Sequence, residues 1–205
     1  CNAPIERIRV KNGRATGVVL ENGDEINAKV VVASTDPRLT FLGLVGEAHL
    51  EPDFLRALKR FKFRGSSGKV NLALDRLPNF TCRPGNGLHI RGDIAIAPSV
   101  DYLEKAYDDA KYHEFSQQPV LEVMIPSLSE KSLAPDGQHV LSANVMYVPH
   151  QLKGGWNDSA RDKLCERVID TIAKYAPGIR EQIVHQELLT PLDLEQSWHA
   201  TGGHW

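Results

Sequence analysis

The sequence predicts an α+β fold with a small β-meander at the start, followed by an antiparallel or mixed sheet covered by helices. Three observations predict it. Two Asn-Gly pairs lie about ten residues apart near the start, strand-like segments separated by turns recur through the middle, and one long amphipathic helix follows them. Short strands joined by turns pair in antiparallel fashion, and helices grouped beside such a sheet are typical of this class.

The meander is predicted by the pairs Asn12-Gly13 and Asn22-Gly23. Asn-Gly is the strongest short-range hairpin signal, because both central residues of a type I′ turn need positive φ. Strands are therefore expected on either side of each pair. The last strand, residues 30–33, is Val-Val-Val-Ala. It is apolar on both faces, which predicts a strand buried inside a sheet.

The elements that follow are predicted from capping residues, turn residues and apolar periodicity. Asp36 and Pro37 suit the start of a helix, because Asp caps helices and Pro is tolerated in the first turn. The remaining segments, in chain order, are a helix over residues 51–60, a flexible loop over 64–68, a strand over 69–74, a loop over 76–92 with a short strand at 88–90, a helix from Ser99 to about residue 112, strands over 120–125 and 139–148, a helix from residue 158 or 159 to Pro177, a strand over 183–189 and a short helix from Thr190.

Composition and charge exclude several classes of protein. The 205 residues include 24 basic and 26 acidic side chains, a net charge of −2. That balance does not suit a protein that binds nucleic acid by neutralising phosphates. Apolar runs reach only a few residues, far short of the roughly 20 that span a bilayer, so no transmembrane segment is predicted. Three cysteines without C-x-x-C spacing predict neither a disulfide framework nor a redox dithiol, and favour an intracellular reducing compartment.

The sequence contains no catalytic constellation of its own. Eight histidines occur without the H-E-x-x-H spacing of a zinc site, and no G-x-S-x-G or G-x-G-x-x-G pattern is present. We therefore predict no catalytic residues and no metal site. The chain starts in what reads as a strand and ends just after Gly202 and Gly203. These ends predict an excised internal piece of a longer protein, forming half of a composite site.

The opening residues resemble a known enzyme family. Residues 5–8, 12–23 and 28–37 are similar to the region after the dinucleotide fingerprint in phytoene-desaturase-like FAD-dependent oxidoreductases, part of the amine-oxidase-type flavoprotein superfamily. The looser matches that extend this resemblance over the whole chain lie at residues 68–74, 77–78, 125–127, 133–139, 175–178 and 189–195. The chain is thus identified as an internal fragment of a member of that family.

The resemblance implies a domain organisation and a cofactor. Residues 1–36 would be the β-meander and closing strand of an FAD-binding domain, residues 37–200 a substrate-binding domain, and residues 201–205 the start of a return to the FAD domain. The cofactor implied is FAD. The residues implied to contact it are Ile5, where the strand passes the adenine, Ala33 and Ser34, where the chain approaches the cofactor, and Gly202 and Gly203, in the return toward the flavin.

The function implied is that of the substrate-binding portion of an FAD-dependent oxidoreductase that oxidises or desaturates an apolar or amine substrate. A substrate domain in a flavoenzyme needs no acid–base pair of its own, because the flavin carries the chemistry. The partners implied are that small molecule and the missing FAD-binding segments of the same chain, without which the fragment is expected to be inactive and to retain no FAD.

Two interpretations stay open at this stage. The whole chain is alternatively a non-catalytic α+β module that binds a protein partner. Trp156 and Trp198 either line a substrate cavity or pack in the core.

Overall fold

The computed structural model describes residues 2–204, which divide into two compact units between residues 63 and 64. The first unit contains a three-stranded sheet and the second a five-stranded sheet. Both sheets are antiparallel, and helices accompany each of them. The predicted α+β class is therefore confirmed.

The first unit begins with the predicted meander. Its strands are β1 (Ile5–Lys11), β2 (Arg14–Leu20) and β3 (Glu25–Asn27), in the order β1-β2-β3. The first turn is of the expected kind, because Asn12 and Gly13 have φ of 51° and 73°.

The second turn differs from the first, since among its residues only Gly23 has positive φ, at 90°. The N–H of Gly23 and the C=O of Leu20 are hydrogen-bonded, and the N–H of Leu20 donates to Asp24. These bonds enclose a three-residue loop, the next most common hairpin connection after the two-residue one.

Arg9 and Gly17 account for the close packing of the three strands of the meander. The Arg9 guanidinium on β1 donates to Thr16 Oγ1 on β2 at 3.1 Å. It also donates to the side chains of Glu25 and Asn27 on β3, so one side chain crosses all three strands. On β2, a Cβ at Gly17 would lie 2.0 Å from the carbonyl oxygen of Ile26. The close approach of β3 therefore requires glycine at this position.

The predicted buried strand over residues 30–33 is not formed. These residues have no regular structure, and the side chains of Val30 and Val32 are 73% and 90% exposed. An apolar run of this kind becomes a strand only when neighbouring strands pair with it and both faces are covered. No strand among residues 2–204 pairs with it, so the apolar pattern by itself did not produce the element.

The two helices predicted in the first unit begin where expected, with a 3-10 helix over Glu47–His49 between them. The Asp36 carboxylate accepts the backbone N–H groups of Arg38 and Leu39 at 2.8 and 2.9 Å, ahead of a π-helix over Leu39–Val45. Helix α1 (Pro52–Arg60) has proline in its first turn, a position where the missing N–H has no helical partner to lose.

The second unit is built on one sheet of five strands. They are β4 (Ser67–Leu74), β5 (Ile94–Ile96), β6 (Leu121–Met124), β7 (His139–Met146) and β8 (Ile183–Leu189). The spatial order is β5-β6-β7-β4-β8, which places β4 and β7 in the middle. The strands predicted near 69–74, 120–125, 139–148 and 183–189 are thus confirmed.

The short strand predicted at residues 88–90 is wrong. Leu88–Ile90 forms a 3-10 helix, and the edge of the sheet is taken by β5 a few residues later. The Leu88 side chain is 86% exposed while Ile90 is 2% exposed. A tight turn between glycines buries one apolar side chain without needing a ladder partner.

The core of the second unit lies on one face of this sheet. Residues of β4 alternate strictly between half-buried and buried, and Val70, Leu72 and Leu74 point into the core. Helix α3 (Asp158–Ala173) covers that face with a stripe of apolar residues that includes Leu164, Val168 and Ile172.

The remaining helices of the second unit are short. They are α2 (Val100–Lys111), α4 (Ile179–Gln182) and α5 (Pro191–Trp198). The Ser99 hydroxyl caps α2 by accepting the N–H of Tyr102 at 3.2 Å, as expected from its position in the sequence. Of the helices that the structure describes, none combines the length and apolar character needed to cross a bilayer.

A substitution at Leu72 tests the assignment of the core face in the second unit. It is fully buried in the central strand β4, so Leu72→Ala should lower the free energy of unfolding by about 2–5 kcal/mol. The control is Val184→Ala in β8, where the side chain is 64% exposed and the expected loss is within about 0.5 kcal/mol. Urea unfolding followed by circular dichroism measures both. Equal losses in the two variants would contradict the assignment of the core face.

Candidate functional site

The three cofactor residues predicted in the first unit are accessible. Ile5 opens β1, pairs with Leu20 and is 37% exposed. Ala33 and Ser34 are exposed and lie outside any helix or strand. Within the part of the chain that the structure describes, neither makes a backbone hydrogen bond. The backbone at 33–34 is therefore available to a ligand, as a cofactor contact through main-chain atoms requires.

The two cofactor residues predicted in the second unit have a different environment. Gly202 and Gly203 lie in a 3-10 turn over Thr201–Gly203. The N–H of Gly202 donates to Glu195 Oε1 at 2.6 Å, and the N–H of Gly203 donates to the carbonyl of Ala200 at 2.8 Å. Both N–H donors are thus engaged within the chain. Whether these residues contact a cofactor stays a prediction.

The turn at Gly202 and Gly203 packs directly on backbone from two other segments. The carbonyl of Gly202 accepts the N–H of Gly65 at 2.8 Å. A Cβ at Gly65 would lie 2.4 Å from the carbonyl oxygen of Gly203, and a Cβ at Gly203 would lie 2.0 Å from that of Pro191. Any side chain at these two positions would force the segments apart. Gly65, predicted to belong to a flexible loop, is instead held in place by this contact.

Glu195 on α5 is the side chain that closes the turn. Its Oε1 accepts the Gly202 N–H, and its Oε2 lies 2.8 Å from Nε2 of His150. The Gly202 N–H bond is the main reason that the pKa of Glu195 is lowered, with burial opposing the shift and His150 adding to it. Sequence patterns did not single out Glu195 or His150, because the two residues are 45 positions apart.

Asp193 secures the start of the same helix. Thr190 and Asp193 form a capping box, in which each side chain bonds the other residue's backbone N–H. Asp193 also accepts two hydrogen bonds from the Arg161 guanidinium, at 2.7 and 2.6 Å. Burial acts to raise the pKa of Asp193, but the bonds from Arg161 and Thr190 outweigh it and lower the pKa. The helix start predicted at Thr190 is confirmed, whereas its tie to α3 through Arg161 was not foreseen.

The two tryptophans, Trp156 and Trp198, lie in different environments. The Trp156 ring stacks on Phe115 with centroids 5.8 Å apart, and its Nε1 donates to the carbonyls of Pro149 and His150. It packs against the hydrophobic core, which supports the core interpretation. Trp198 is 59% exposed at the end of α5 and so does not pack in the core, while a place in the lining of a substrate cavity stays a prediction.

The second face of the five-stranded sheet carries a polar ladder. On this face Ser142 Oγ donates to Asn71 Oδ1, and Asn71 Nδ2 donates to Glu187 Oε2, each at 2.9 Å. The three residues are directly opposite one another across β7, β4 and β8. They alternate along β4 and β7 with fully buried core residues, so they stand on the face opposite the core.

Two observations bear on metal and nucleophilic chemistry. Among residues 2–204, no group of three or more His, Cys, Asp or Glu side chains is arranged to hold a metal ion. Cys165 is buried, and burial raises the pKa of its thiol to about 11, so it is not a ready nucleophile at neutral pH. The side chains described above can fix the position of the backbone and can form hydrogen bonds with polar groups.

Comparisons with known proteins place the chain in context. No protein-family model matches the sequence. Pyridine nucleotide-disulfide oxidoreductase domain-containing protein 2 of Mus musculus is 34% identical over 209 residues, covering 98% of this chain and 36% of that protein. The 4,4'-diapolycopene oxygenase of a Methylomonas species is 25% identical over 208 residues, covering 98% and 38%. The zeta-carotene-forming phytoene desaturase of Myxococcus xanthus is 30% identical over 152 residues, covering 73% and 26%.

A solved structure shares the fold. An oxidoreductase from Methanosarcina mazei superposes with a TM-score of 0.55 and 16% identity, covering 91% of this chain and 36% of that one. The predicted resemblance is confirmed by these relatives: the chain is homologous to a partial region of oxidoreductases that include carotenoid desaturases and oxygenases. It spans about a third of the length of the first relatives that it matches.

The tie between Asp193 and Arg161 predicts a pH-dependent stability. The pKa of Asp193 is lower in the folded chain than its ordinary 3.8. Its contribution is therefore fully present above about pH 4 and is lost as the pH falls through the folded pKa. Asp193→Asn should cost about 1–3 kcal/mol of unfolding free energy at pH 7.

The same variant should flatten the loss of stability below about pH 4, because the titrating group is gone. Asp162→Asn, at an exposed position of α3, is the matched control and should change neither quantity measurably. Urea unfolding from pH 7 down to pH 3 measures both effects. An Asp193→Asn curve parallel to wild type throughout would refute the role of this carboxylate.

The cysteines should differ in reactivity. Cys82 is exposed and Cys165 is buried with a pKa of about 11. Iodoacetamide added to the native protein at pH 8 should modify Cys82 and leave Cys165 unmodified until denaturant is added. Peptide mass spectrometry reads each site separately. Modification of both residues at similar rates in native conditions would contradict the packing of α3.

Proposed function

We propose that the chain is the substrate-binding portion of an FAD-dependent oxidoreductase that oxidises or desaturates an apolar or amine substrate. The observation that carries the proposal is the match to an oxidoreductase-domain protein over 98% of this chain but only 36% of that protein. Relatives named as carotenoid desaturases and oxygenases support the same reaction class. On this proposal residues 1–205 alone are inactive, because the remaining segments complete the flavin site.

The residues fit a flavin through main-chain contacts in the first unit. Flavin supplies hydride acceptance, and the protein supplies binding, orientation and exclusion of water. Ala33 and Ser34 present exposed backbone without regular structure for cofactor contact, and Ile5 is an exposed residue at the start of β1. We place residues 1–36 and 201–205 with the cofactor domain of the whole protein, and residues 37–200 with its substrate domain.

A flavin measurement on the full-length protein tests the proposal. The purified protein should be yellow, show the visible absorption of oxidised flavin, and release FAD on denaturation. A preparation of residues 1–205 is the comparison, and it should retain no FAD. Parallel dehydrogenation assays with a primary amine and with a carotene hydrocarbon then separate the two substrate classes.

Two results would contradict parts of this proposal. A full-length protein that is colourless and takes up no added FAD would remove the enzyme proposal and leave the protein-interaction module as the better interpretation. Tight stoichiometric uptake of FAD by residues 1–205 would show that the other segments are not needed for the cofactor site.

A further inference from the structure

The turn at Gly202 and Gly203 is held by hydrogen bonds and close backbone contacts within the second unit. Its two N–H groups go to Glu195 and Ala200, and the carbonyl of Gly202 takes the N–H of Gly65. Gly203 is buried, and its Cα faces the carbonyl of Pro191 with no room for a Cβ. The turn therefore has a single well-determined position in the second unit.

Glu195 supplies a side-chain bond to this turn. The 2.6 Å separation of Gly202 N and Glu195 Oε1 is that of a charge-assisted hydrogen bond, which is about twice as strong as a neutral one. The second carboxylate oxygen is oriented by His150, which lies just after the end of β7. One carboxylate thus connects the loop that leaves β7, helix α5 and the turn.

A cofactor that used the Gly202 N–H as a donor would have to displace this carboxylate. The displaced Glu195 would then lose its bond to the Gly202 N–H at a half-buried position and keep only its contact with His150, which is unfavourable. The geometry therefore argues against donation from this N–H to a ligand.

We infer that Glu195 is a positioning residue that locks the turn at Gly202 and Gly203 and so sets the direction in which the chain leaves the second unit at His204. The inference rests on the proposed function, in which the return toward the flavin begins at this turn. It assigns to Glu195 a part in building the cofactor site without contact with the cofactor.

The test uses the full-length protein with three variants. Glu195→Ala removes the acceptor, Glu195→Gln keeps an oxygen that can accept the Gly202 N–H, and Gln196→Ala changes an exposed neighbour on the same helix as the control. Hydrogen exchange of the Gly202 amide is measured on protein stripped of FAD. FAD affinity and the visible flavin band are measured by titration of the same samples.

In Glu195→Ala, exchange at Gly202 should rise by about tenfold or more, the factor expected for loss of one charge-assisted hydrogen bond. FAD affinity should fall by about tenfold and the flavin band should shift. Glu195→Gln should restore most of both, and Gln196→Ala should match wild type. Circular dichroism identifies a variant that fails to fold. If Glu195→Ala fails to fold, the exchange rate of the Gly202 amide in Glu195→Gln, which should be intermediate, decides the question.

Two results would overturn the inference. Unchanged exchange at Gly202 in Glu195→Ala would show that the carboxylate does not hold the turn. Faster exchange with unaltered FAD affinity and flavin band would show that holding the turn does not serve the cofactor site. A wild-type protein that binds no FAD is a separate result, because it refutes the proposed function as well, whatever the exchange rates are.

Discussion

Two carboxylates on the short helix α5 determine its position in the second unit. At its start, Asp193 joins the capping box with Thr190 to the guanidinium of Arg161 on α3. Two residues further on, Glu195 joins the turn at Gly202 to His150. An eight-residue helix has little stability of its own, so these two carboxylates, more than helix propensity, determine where the chain runs after the last strand.

Close backbone packing around the turn explains why glycine is required at positions 65 and 203. Gly65 and Gly203 each lie so close to backbone from another segment that a Cβ would clash. The sequence resemblance implied cofactor contact at Gly202 and Gly203, whereas the geometry accounts for the close packing of Gly203 within the chain. In the first unit the situation is reversed, since Ala33 and Ser34 have accessible backbone with no internal role.

Local signals in the sequence predicted most elements, and contacts between distant residues account for the failures. Asn12-Gly13 produced the expected turn because the required φ values depend on those two residues alone. Residues 30–33 failed as a strand because their pattern specifies burial but cannot supply the neighbouring strands. The pairing of Glu195 with His150 was not predictable, since no local period relates side chains 45 positions apart.

A structure of the full-length protein with FAD bound tests the central claim most directly. The proposal has two separate parts: in the first unit the accessible backbone at Ala33 and Ser34 contacts the flavin, and in the second unit Glu195 keeps the turn at Gly202 closed. The predicted result is a flavin cofactor against the backbone of 33–34 with the bond from Gly202 to Glu195 intact. A cofactor bound directly to the Gly202 N–H with Glu195 displaced, or one remote from both segments, would contradict it.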